Sequence, residues 1–231
     1  MEFVGFEKLS LVDYDSVIGA TLFTCRCQFR CPFCHNSSLV VHPKEAKEIP
    51  FEDILSYLEK RKGILEGVTI TGGEPTLLDD LEEKIKAIKA LGYKVKLDTN
   101  GYNPKILKDL VNKKLVDYVA MDIKNSKKNY TQTVGLDFVD LTRIDESVSF
   151  LKEGHVPYEF RTTLIEEFHS FSDIKDIAEW LEGSEKYFLQ KFIDRNTIKE
   201  GLHEVDLKKA KEFLDIVNPF VKYASLRGYD N

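Results

Sequence analysis

The residues best suited to chemistry are four cysteines, the only ones in the 231-residue chain, which all lie within one ten-residue stretch. Cysteines so close together cannot cross-link distant parts of a long chain by disulfides, but they can surround one metal centre. Cys27, Cys31 and Cys34 are separated by three and then two residues. Three thiolates on one loop can bind three irons of a 4Fe-4S cubane and leave the fourth iron open to an exogenous ligand. This spacing predicts a cluster with a reaction site.

Zinc is the alternative occupant of this loop. Cys25 brings the thiol count to four, enough to close a tetrahedral structural site, and the chain would then be a non-catalytic zinc-binding interaction module. Only one residue separates Cys25 from Cys27, and zinc ribbons usually draw their ligands from two distant segments. We therefore favour the cluster and expect Cys25 to be a spare thiol.

Other polar residues stand where apolar runs stop. The sequence Thr-Gly-Gly-Glu-Pro occupies 71–75, Asp-Thr-Asn-Gly occupies 98–101, and Asp-Ile-Lys occupies 122–124. Adjacent glycines let the backbone approach a ligand closely, although an isolated pair more often marks a tight turn. Asn-Gly is likewise a common turn. Arg161 interrupts a later apolar run, which favours a position facing a cavity and a carboxylate partner.

The elements that must position these residues alternate along the chain. Runs rich in β-branched and aromatic residues predict six strands, at 17–24, 68–71, 94–99, 118–124, 158–164 and 187–193. Apolar residues at three- and four-residue spacing predict helices at 51–61, 78–91, 104–112, 143–153, 172–181 and 206–217, with Ser172-Asp173 as one cap. This order implies parallel crossovers, in an open doubly wound sheet or a partly closed barrel. Either architecture gathers ligands at the carboxyl ends of its strands.

Length and composition narrow the class of protein. At 231 residues and 42% hydrophobic, the chain is expected to form one domain over 1–231, with an N-terminal extension at 1–16 and a C-terminal helix and tail at 205–231. The formal net charge of -6 gives no sign of a nucleic-acid partner. Glu2, Glu7, Lys8 and Asp13 interrupt the N-terminal region, which excludes a signal peptide or membrane span there and favours a cytoplasmic protein.

The cysteine loop resembles the signature of a known superfamily. Cys27-x-x-x-Cys31-x-Phe33-Cys34 after a first strand is similar to the motif of the radical S-adenosylmethionine (SAM) enzymes. The sequence at 30–36, Arg-Cys-Pro-Phe-Cys-His-Asn, resembles that of their glycyl-radical-activating branch. The resemblance implies a partial (β/α)6 barrel, a 4Fe-4S cluster and SAM chelated to the open iron. Phe33 would lie beside the adenine. Because three cysteines suffice as ligands, His35 is expected to have an orienting or surface role rather than to ligate the cluster, and it is counted with Phe33 among the cofactor-binding residues.

The resemblance also assigns roles to the strand-end residues. Gly72, Gly73 and Glu74 match the motif that binds the methionine amino group. The remaining expected cofactor contacts are Asp98, Asn100, Lys124 and Arg161. In some relatives a monovalent cation sits beside the sulfonium, and Asp98 and Asp122 match its carboxylate ligands. Some relatives carry a histidine on the sixth strand, which this chain lacks at the matching position.

Over nearly its whole length the chain resembles the anaerobic ribonucleoside-triphosphate reductase activating proteins. The resemblance implies that a flavodoxin or ferredoxin reduces the cluster, that SAM is cleaved to methionine and a 5'-deoxyadenosyl radical, and that this radical takes hydrogen from a glycine of a partner enzyme. A partial barrel would leave a lateral opening for the substrate loop. The alternative within the superfamily is a small-molecule enzyme such as a 7-carboxy-7-deazaguanine synthase, whose branch lacks the Cys-His-Asn and Asp-Thr-Asn-Gly wording.

Overall fold

The fold is built on one twisted eight-stranded sheet, seen in a computed structural model that describes residues 3–229. The strands lie side by side in chain order, β1 antiparallel to β2 and every later pair parallel. They are β1 (Gly5–Ser10), β2 (Gly19–Thr24), β3 (Gly67–Gly72), β4 (Lys94–Thr99), β5 (Tyr118–Asp122), β6 (Tyr158–Leu164), β7 (Tyr187–Lys191) and β8 (Ala224–Arg227). Because the seven strands from β2 to β8 run parallel, their carboxyl ends form one rim.

Helices connect the parallel strands. They are α1 (Ser37–Val41), α2 (Phe51–Lys60), α3 (Leu81–Ala90), α4 (Pro104–Asn112), α5 (Tyr130–Thr133), α6 (Leu141–Lys152), α7 (Phe171–Trp180) and α8 (Leu207–Val217), with a 3-10 turn at Pro75–Leu77. All six predicted strands and all six predicted helices are present, with boundaries shifted by up to three residues. The sequence-based fold class, an α/β partial barrel, is confirmed.

The two faces of the sheet differ in chemistry. Alternate strand residues such as Ile70, Leu97 and Met121 are fully buried in a continuous apolar core that includes the helices. The residues between them on the other face are mostly polar or charged, among them Lys96 and Glu159, which are also buried. Since side chains alternate along a strand, one face packs against the helices and the other lines the inside of the partial barrel.

The prediction of only six strands was wrong, because β1 and β8 were missed. β1 carries Glu7 and Lys8 within six residues, and β8 is only four residues long. Both lie at sheet edges, where one side of the strand has no partner and charged residues are common. Arg227 of β8 donates a 3.2 Å hydrogen bond to Asp15, which lies in the connection between β1 and β2. This ion pair links one edge strand of the sheet to the connection that follows the other.

Several predicted boundaries need correction. β5 ends at Asp122 rather than 124, and β7 ends at Lys191 rather than 193. Helix α7 is capped by Ser170, whose side chain accepts from the Asp173 backbone while Asp173 accepts in return, so Ser172 is not the cap. The short helices α1 and α5 have no counterpart in the prediction.

The segments predicted as an N-terminal extension and a C-terminal tail both contain strands of the central sheet. Residues 1–16 include β1, and 205–231 include α8 and β8. Positions 1–2 and 230–231 of these two segments lie outside the described residues. The single domain over 1–231 stays a prediction. Among the described helices, none combines the length and apolar character needed to cross a membrane.

Candidate active site

The cysteine loop follows β2 directly and forms one wall of a cleft at the carboxyl ends of the parallel strands. The cleft encloses about 790 Å³, part of it open to solvent. Cys27, Cys31 and Cys34 all line this cleft, and Cys25 is buried elsewhere and does not. Cys25 is therefore not among the residues that line the cleft, and the expectation that it is not a cluster ligand stays a prediction.

Backbone contacts hold the loop against the turn that follows β3. Gly73 N donates to Thr24 O at 2.9 Å, and Glu74 N donates to Arg26 O at 2.8 Å. A Cβ at Gly73 would lie 1.9 Å from Arg26 O, and one at Gly72, whose φ is +112°, would lie 2.4 Å from Thr24 O. Neither distance is compatible with a side chain, so the glycine pair is required by the packing of the cysteine loop itself.

Burial governs the state of the three thiols. Loss of hydration raises the pKa of Cys27 and of Cys31 to about 12, and it also raises the pKa of Cys34. Without a bound cation these groups are neutral thiols at neutral pH. A cluster would have to displace their protons, and its iron charge would then stabilise the thiolates.

The donor set fits a cluster better than a single ion. In the part of the chain from 3 to 229, no group of three or more His, Cys, Asp or Glu side chains could hold one metal ion. Zinc needs four ligands around one centre, whereas the thiolates of a cubane each bind a different iron. Three thiols that line one cleft can each bind a different iron of one cubane.

Glu74 lies beneath the cleft and is almost fully buried. Its Oε1 accepts from Thr76 N, Thr76 Oγ1 and Thr99 Oγ1, and its Oε2 accepts from Asn100 N at 2.8 Å. Burial raises the pKa of this carboxyl, and the hydrogen bonds oppose that rise. Glu74 thus ties the Gly-Gly turn to the end of β4. A direct contact with the cofactor stays a prediction.

A cluster of charges crosses the inner face of β4, β5 and β6. Arg161 donates from Nη1 to Asp98 Oδ2 at 3.2 Å and from Nε to Asp122 Oδ1 at 2.9 Å. Lys124 Nζ donates to Asp122 Oδ2 at 2.9 Å. Burial by itself would raise the pKa of Asp122, but Arg161 and Lys124 outweigh it and hold that pKa at about 2. The same carboxylate keeps the pKa of Lys124 above its usual range, against the effect of burial.

Asp98 Oδ1 is the exception in this cluster. It is buried and accepts no hydrogen bond, although Lys96 Nζ lies 3.0 Å away in a poorly aligned ion pair. A buried acceptor with spare capacity favours a further polar partner such as a ligand hydroxyl or ammonium. The expected monovalent cation would share Asp98 and Asp122 with Arg161, which already bridges them, so the cation stays a prediction that the geometry does not strengthen.

Phe33 and His35 of the loop have separate neighbours. Phe33 is buried at the cleft and its ring centroid lies 6.0 Å from that of Phe168. His35 stacks on Phe192 with centroids 5.5 Å apart, and its Nε2 lies 2.7 Å from Ile193 O. His35 therefore fastens the cysteine loop to the segment after β7, consistent with an orienting role.

Gln28 and His169 contact predicted site residues, although neither was predicted from the sequence. Gln28 donates from Nε2 to Asn100 Oδ1 at 3.0 Å, across the cleft wall. His169 is buried, lies 3.0 Å from Lys124 O through Nε2, and accepts at Nδ1 from Ile165 N. The Nε2 contact holds the backbone of Lys124 against the segment that carries Ile165 and His169. No sequence motif marks either residue, and only the proximity of Gln28 to Cys27 could have suggested a role.

The structure brings all the residues predicted for the site to the same cleft. Those that line it are Cys27, Phe33, Cys31, Cys34, His35, Gly72, Gly73, Glu74, Asp98, Asn100, Asp122, Lys124 and Arg161. The arrangement offers three thiols for a cluster, cationic side chains for a carboxylate, and buried acceptors for hydroxyl or amino groups. Which of these atoms touch the cofactor stays a prediction.

Comparison with known proteins agrees with this geometry. The model of the radical SAM superfamily matches residues 21–181, about two thirds of the chain and all of the cleft described above. The chain belongs to the radical SAM superfamily. It is an enzyme, and its cofactors are the 4Fe-4S cluster and SAM that this superfamily uses.

Individual relatives of this radical SAM protein indicate the branch. A Methanocaldococcus jannaschii protein that bears the name glycyl-radical enzyme activating enzyme is 30% identical over 223 residues, covering 95% of this chain and 91% of that protein. A domain of pyruvate-formate lyase-activating enzyme from Bacteroides vulgatus has a TM-score of 0.58 at 20% identity, covering 71% of this chain and 99% of that domain. The first match confirms the assignment of the cysteine loop to the glycyl-radical-activating branch, and the second concerns the fold alone.

The fold is shared more widely. Streptococcus suis SuiB, in its structure bound to SAM, has a TM-score of 0.67 at 16% identity, covering 89% of this chain and 49% of that one. Likeness at that identity concerns the fold alone. It shows that this radical SAM protein shares the partial-barrel fold with about half of SuiB.

Proposed function

We propose that this protein is an activase that installs a glycyl radical on a partner enzyme, specifically on an anaerobic ribonucleoside-triphosphate reductase. The observation that carries the proposal is the convergence of Cys27, Cys31 and Cys34 with the Lys124–Asp122–Arg161 charge cluster in one open cleft. The name of the full-length archaeal relative supports the activase class. The reductase itself is supported by the resemblance over nearly the whole chain, including the runs at 119–124 and 158–163.

The cysteine thiolates would hold three irons of the cluster and leave one for SAM. When bound, the cluster would supply the one electron needed for reductive cleavage of SAM to methionine and a 5'-deoxyadenosyl radical. The protein's own part is to bind and orient the cofactor and to admit the substrate. Lys124 stays charged at every physiological pH because Asp122 raises its pKa, so it can attract the carboxylate of the methionine moiety.

A macromolecular substrate suits the shape of the fold. The sheet does not close, since β1 and β8 are both edge strands, and the cleft is open at the mouth. A closed eight-stranded barrel has an interior filled by side chains, whereas an open sheet leaves room for a loop of another protein. We further propose a flavodoxin or ferredoxin as electron donor and a cytoplasmic location, where reduced thiols persist.

The test is to mix anaerobically reconstituted, reduced protein with SAM and a purified anaerobic ribonucleoside-triphosphate reductase and to record electron paramagnetic resonance. We expect 5'-deoxyadenosine in the solution and a glycyl-radical doublet on the reductase. As a control, a reductase with its radical-bearing glycine replaced by alanine should give no doublet. Formation of 5'-deoxyadenosine without a doublet on the intact reductase would refute the proposed partner. Formation of 5'-deoxyadenosine with a deazaguanine precursor in place of the reductase would point to the small-molecule alternative.

A further inference from the structure

Asn100 makes a contact with the cysteine loop that its expected role as a cofactor ligand does not explain. Its side-chain nitrogen Nδ2 lies 3.6 Å from Cys27 Sγ, within hydrogen-bond range for a sulfur acceptor. The residue is 5% exposed and follows the last residue of β4. Its backbone N donates to Glu74 Oε2 at 2.8 Å, which fixes where the side chain starts.

The orientation of the amide is determined by its neighbours. Asn100 Oδ1 accepts from Tyr102 N at 3.0 Å and from Gln28 Nε2 at 3.0 Å. A backbone N–H can only donate, so the atom facing Tyr102 must be the oxygen. The opposite atom, which faces the sulfur, is therefore the NH2 group. Phe29 N donates to the same sulfur at 3.4 Å, so two N–H groups reach Cys27 Sγ.

Such donors act on the electronic properties of a cluster. A reduced iron–sulfur cluster carries one more negative charge than the oxidised form, and part of that charge lies on its thiolate ligands. An N–H dipole aimed at a ligand sulfur stabilises the reduced form more and raises the reduction potential. The effect is strengthened in a buried site, where water does not screen it.

We propose that Asn100 tunes the cluster: its side-chain amide donates a hydrogen bond to the Cys27 thiolate and raises the cluster's reduction potential, and Gln28 holds the amide in that orientation. Asn100 is thus a positioning residue that acts on the reduction of the cluster by its electron donor. The inference rests on the proposed ligation of iron by Cys27, but it does not depend on which partner protein receives the radical.

The experiment is a redox titration of the reconstituted cluster in the absence of SAM, followed by electron paramagnetic resonance. Asn100→Ala removes the donor, and Asn100→Asp keeps an acceptor for Tyr102 N but replaces the donor by a charge. Loss of one hydrogen bond changes the equilibrium constant for reduction by about three- to tenfold. We therefore expect the midpoint potential of Asn100→Ala to fall, by up to about 59 mV, the one-electron equivalent of tenfold. Asn100→Asp should fall further.

Asn103→Asp is the matched control, because it adds the same charge three residues away, where the amide contacts Thr76 and Arg143 instead of sulfur. It should move the potential much less than Asn100→Asp. An unchanged potential in Asn100→Ala would overturn the inference, as would equal shifts in the two Asp variants. Iron and sulfide must be near four each per chain, roughly the content of one cubane, for every variant compared.

Gln28→Ala decides the matter if Asn100→Ala does not assemble a cluster. Gln28 is only partly buried, and its removal should lower the potential in the same direction by a smaller amount. No shift in Gln28→Ala would then refute the orienting contact. Failure of this inference leaves the wild-type glycyl-radical signal intact, whereas failure of the proposed function removes that signal and leaves these shifts measurable. Retention of the full cluster in Cys27→Ala would show that the ligand assignment itself is wrong.

Discussion

Gly73→Ala is the substitution whose effect the structure defines most sharply. The new Cβ would lie 1.9 Å from Arg26 O and 2.7 Å from Arg26 C, both backbone atoms that cannot rotate away. Either the turn after β3 or the start of the cysteine loop must move. The hydrogen bonds from Gly73 N to Thr24 O and from Glu74 N to Arg26 O would be strained or lost.

The magnitude follows from these contacts. Two backbone hydrogen bonds are worth roughly 0.5–1.5 kcal/mol each, and overpacking a tight site typically costs about 1–3 kcal/mol. We expect the free energy of unfolding to fall by about 2–6 kcal/mol, a large share of the roughly 5–15 kcal/mol typical of a domain. If the cysteine loop moves to relieve the contact, the loss of stability will be smaller, but the three thiols will no longer line one cleft.

The assay is urea denaturation of the metal-free protein together with the iron content after anaerobic reconstitution. Gly154→Ala is the control, because a Cβ there meets nothing within 4 Å and the positive φ of +79° alone should cost about 1–2 kcal/mol. Gly73→Ala should lose more stability than this control or bind less iron. Equal stability and a full cluster in the two variants would refute the packing argument.

Three further predictions concern single side chains. Cys31→Ala should lose the cluster and all formation of 5'-deoxyadenosine, whereas the matched Cys25→Ala, which lies off the cleft, should keep both; iron analysis that fails to separate the two variants would contradict this. Lys124→Met should retain the cluster and weaken SAM binding about tenfold or more, since a charge-assisted hydrogen bond is worth roughly 1.5–3 kcal/mol. Equilibrium dialysis measures the affinity, and an unchanged value would exclude the contact between Lys124 and SAM. Burial lowers the pKa of His169, so the unfolded chain takes up a proton as pH falls through 6.5 while the folded protein does not, and stability is lost below that pH. His169→Gln should reduce the drop in urea midpoint between about pH 7.5 and about pH 5.5, and a drop equal to that of the wild type would show that His169 does not contribute.

The sequence predicts most of the scaffold because buried parallel strands have an unambiguous pattern. Runs such as the one at 68–71 are apolar on both faces or carry β-branched residues throughout, and the helices between them are strongly amphipathic. The edge strands β1 and β8 lack this pattern, since half of each pairing surface faces no strand and burial on it is incomplete. Their existence depends on tertiary pairing that local composition does not encode.

The site follows the same division. Cys27, Cys31 and Cys34 are recognisable by spacing, and the strand-end motifs are recognisable by position, so the residues that line the cleft could be named in advance. The contacts between them could not. That Gly73 packs on Arg26 O, that Arg161 bridges two aspartates, and that Gln28 orients Asn100 are facts of three-dimensional proximity between segments up to 72 residues apart.

The central claim is that three thiolates hold the cluster and leave one iron for SAM. Its most direct test is pulsed electron paramagnetic resonance of the reduced, reconstituted protein with SAM labelled with 15N at the methionine amino group. We predict a hyperfine coupling between the label and the cluster in the wild type and in Cys25→Ala. A cluster whose spectrum does not change when SAM is added, or a metal centre that contains no iron after anaerobic preparation, would contradict the account.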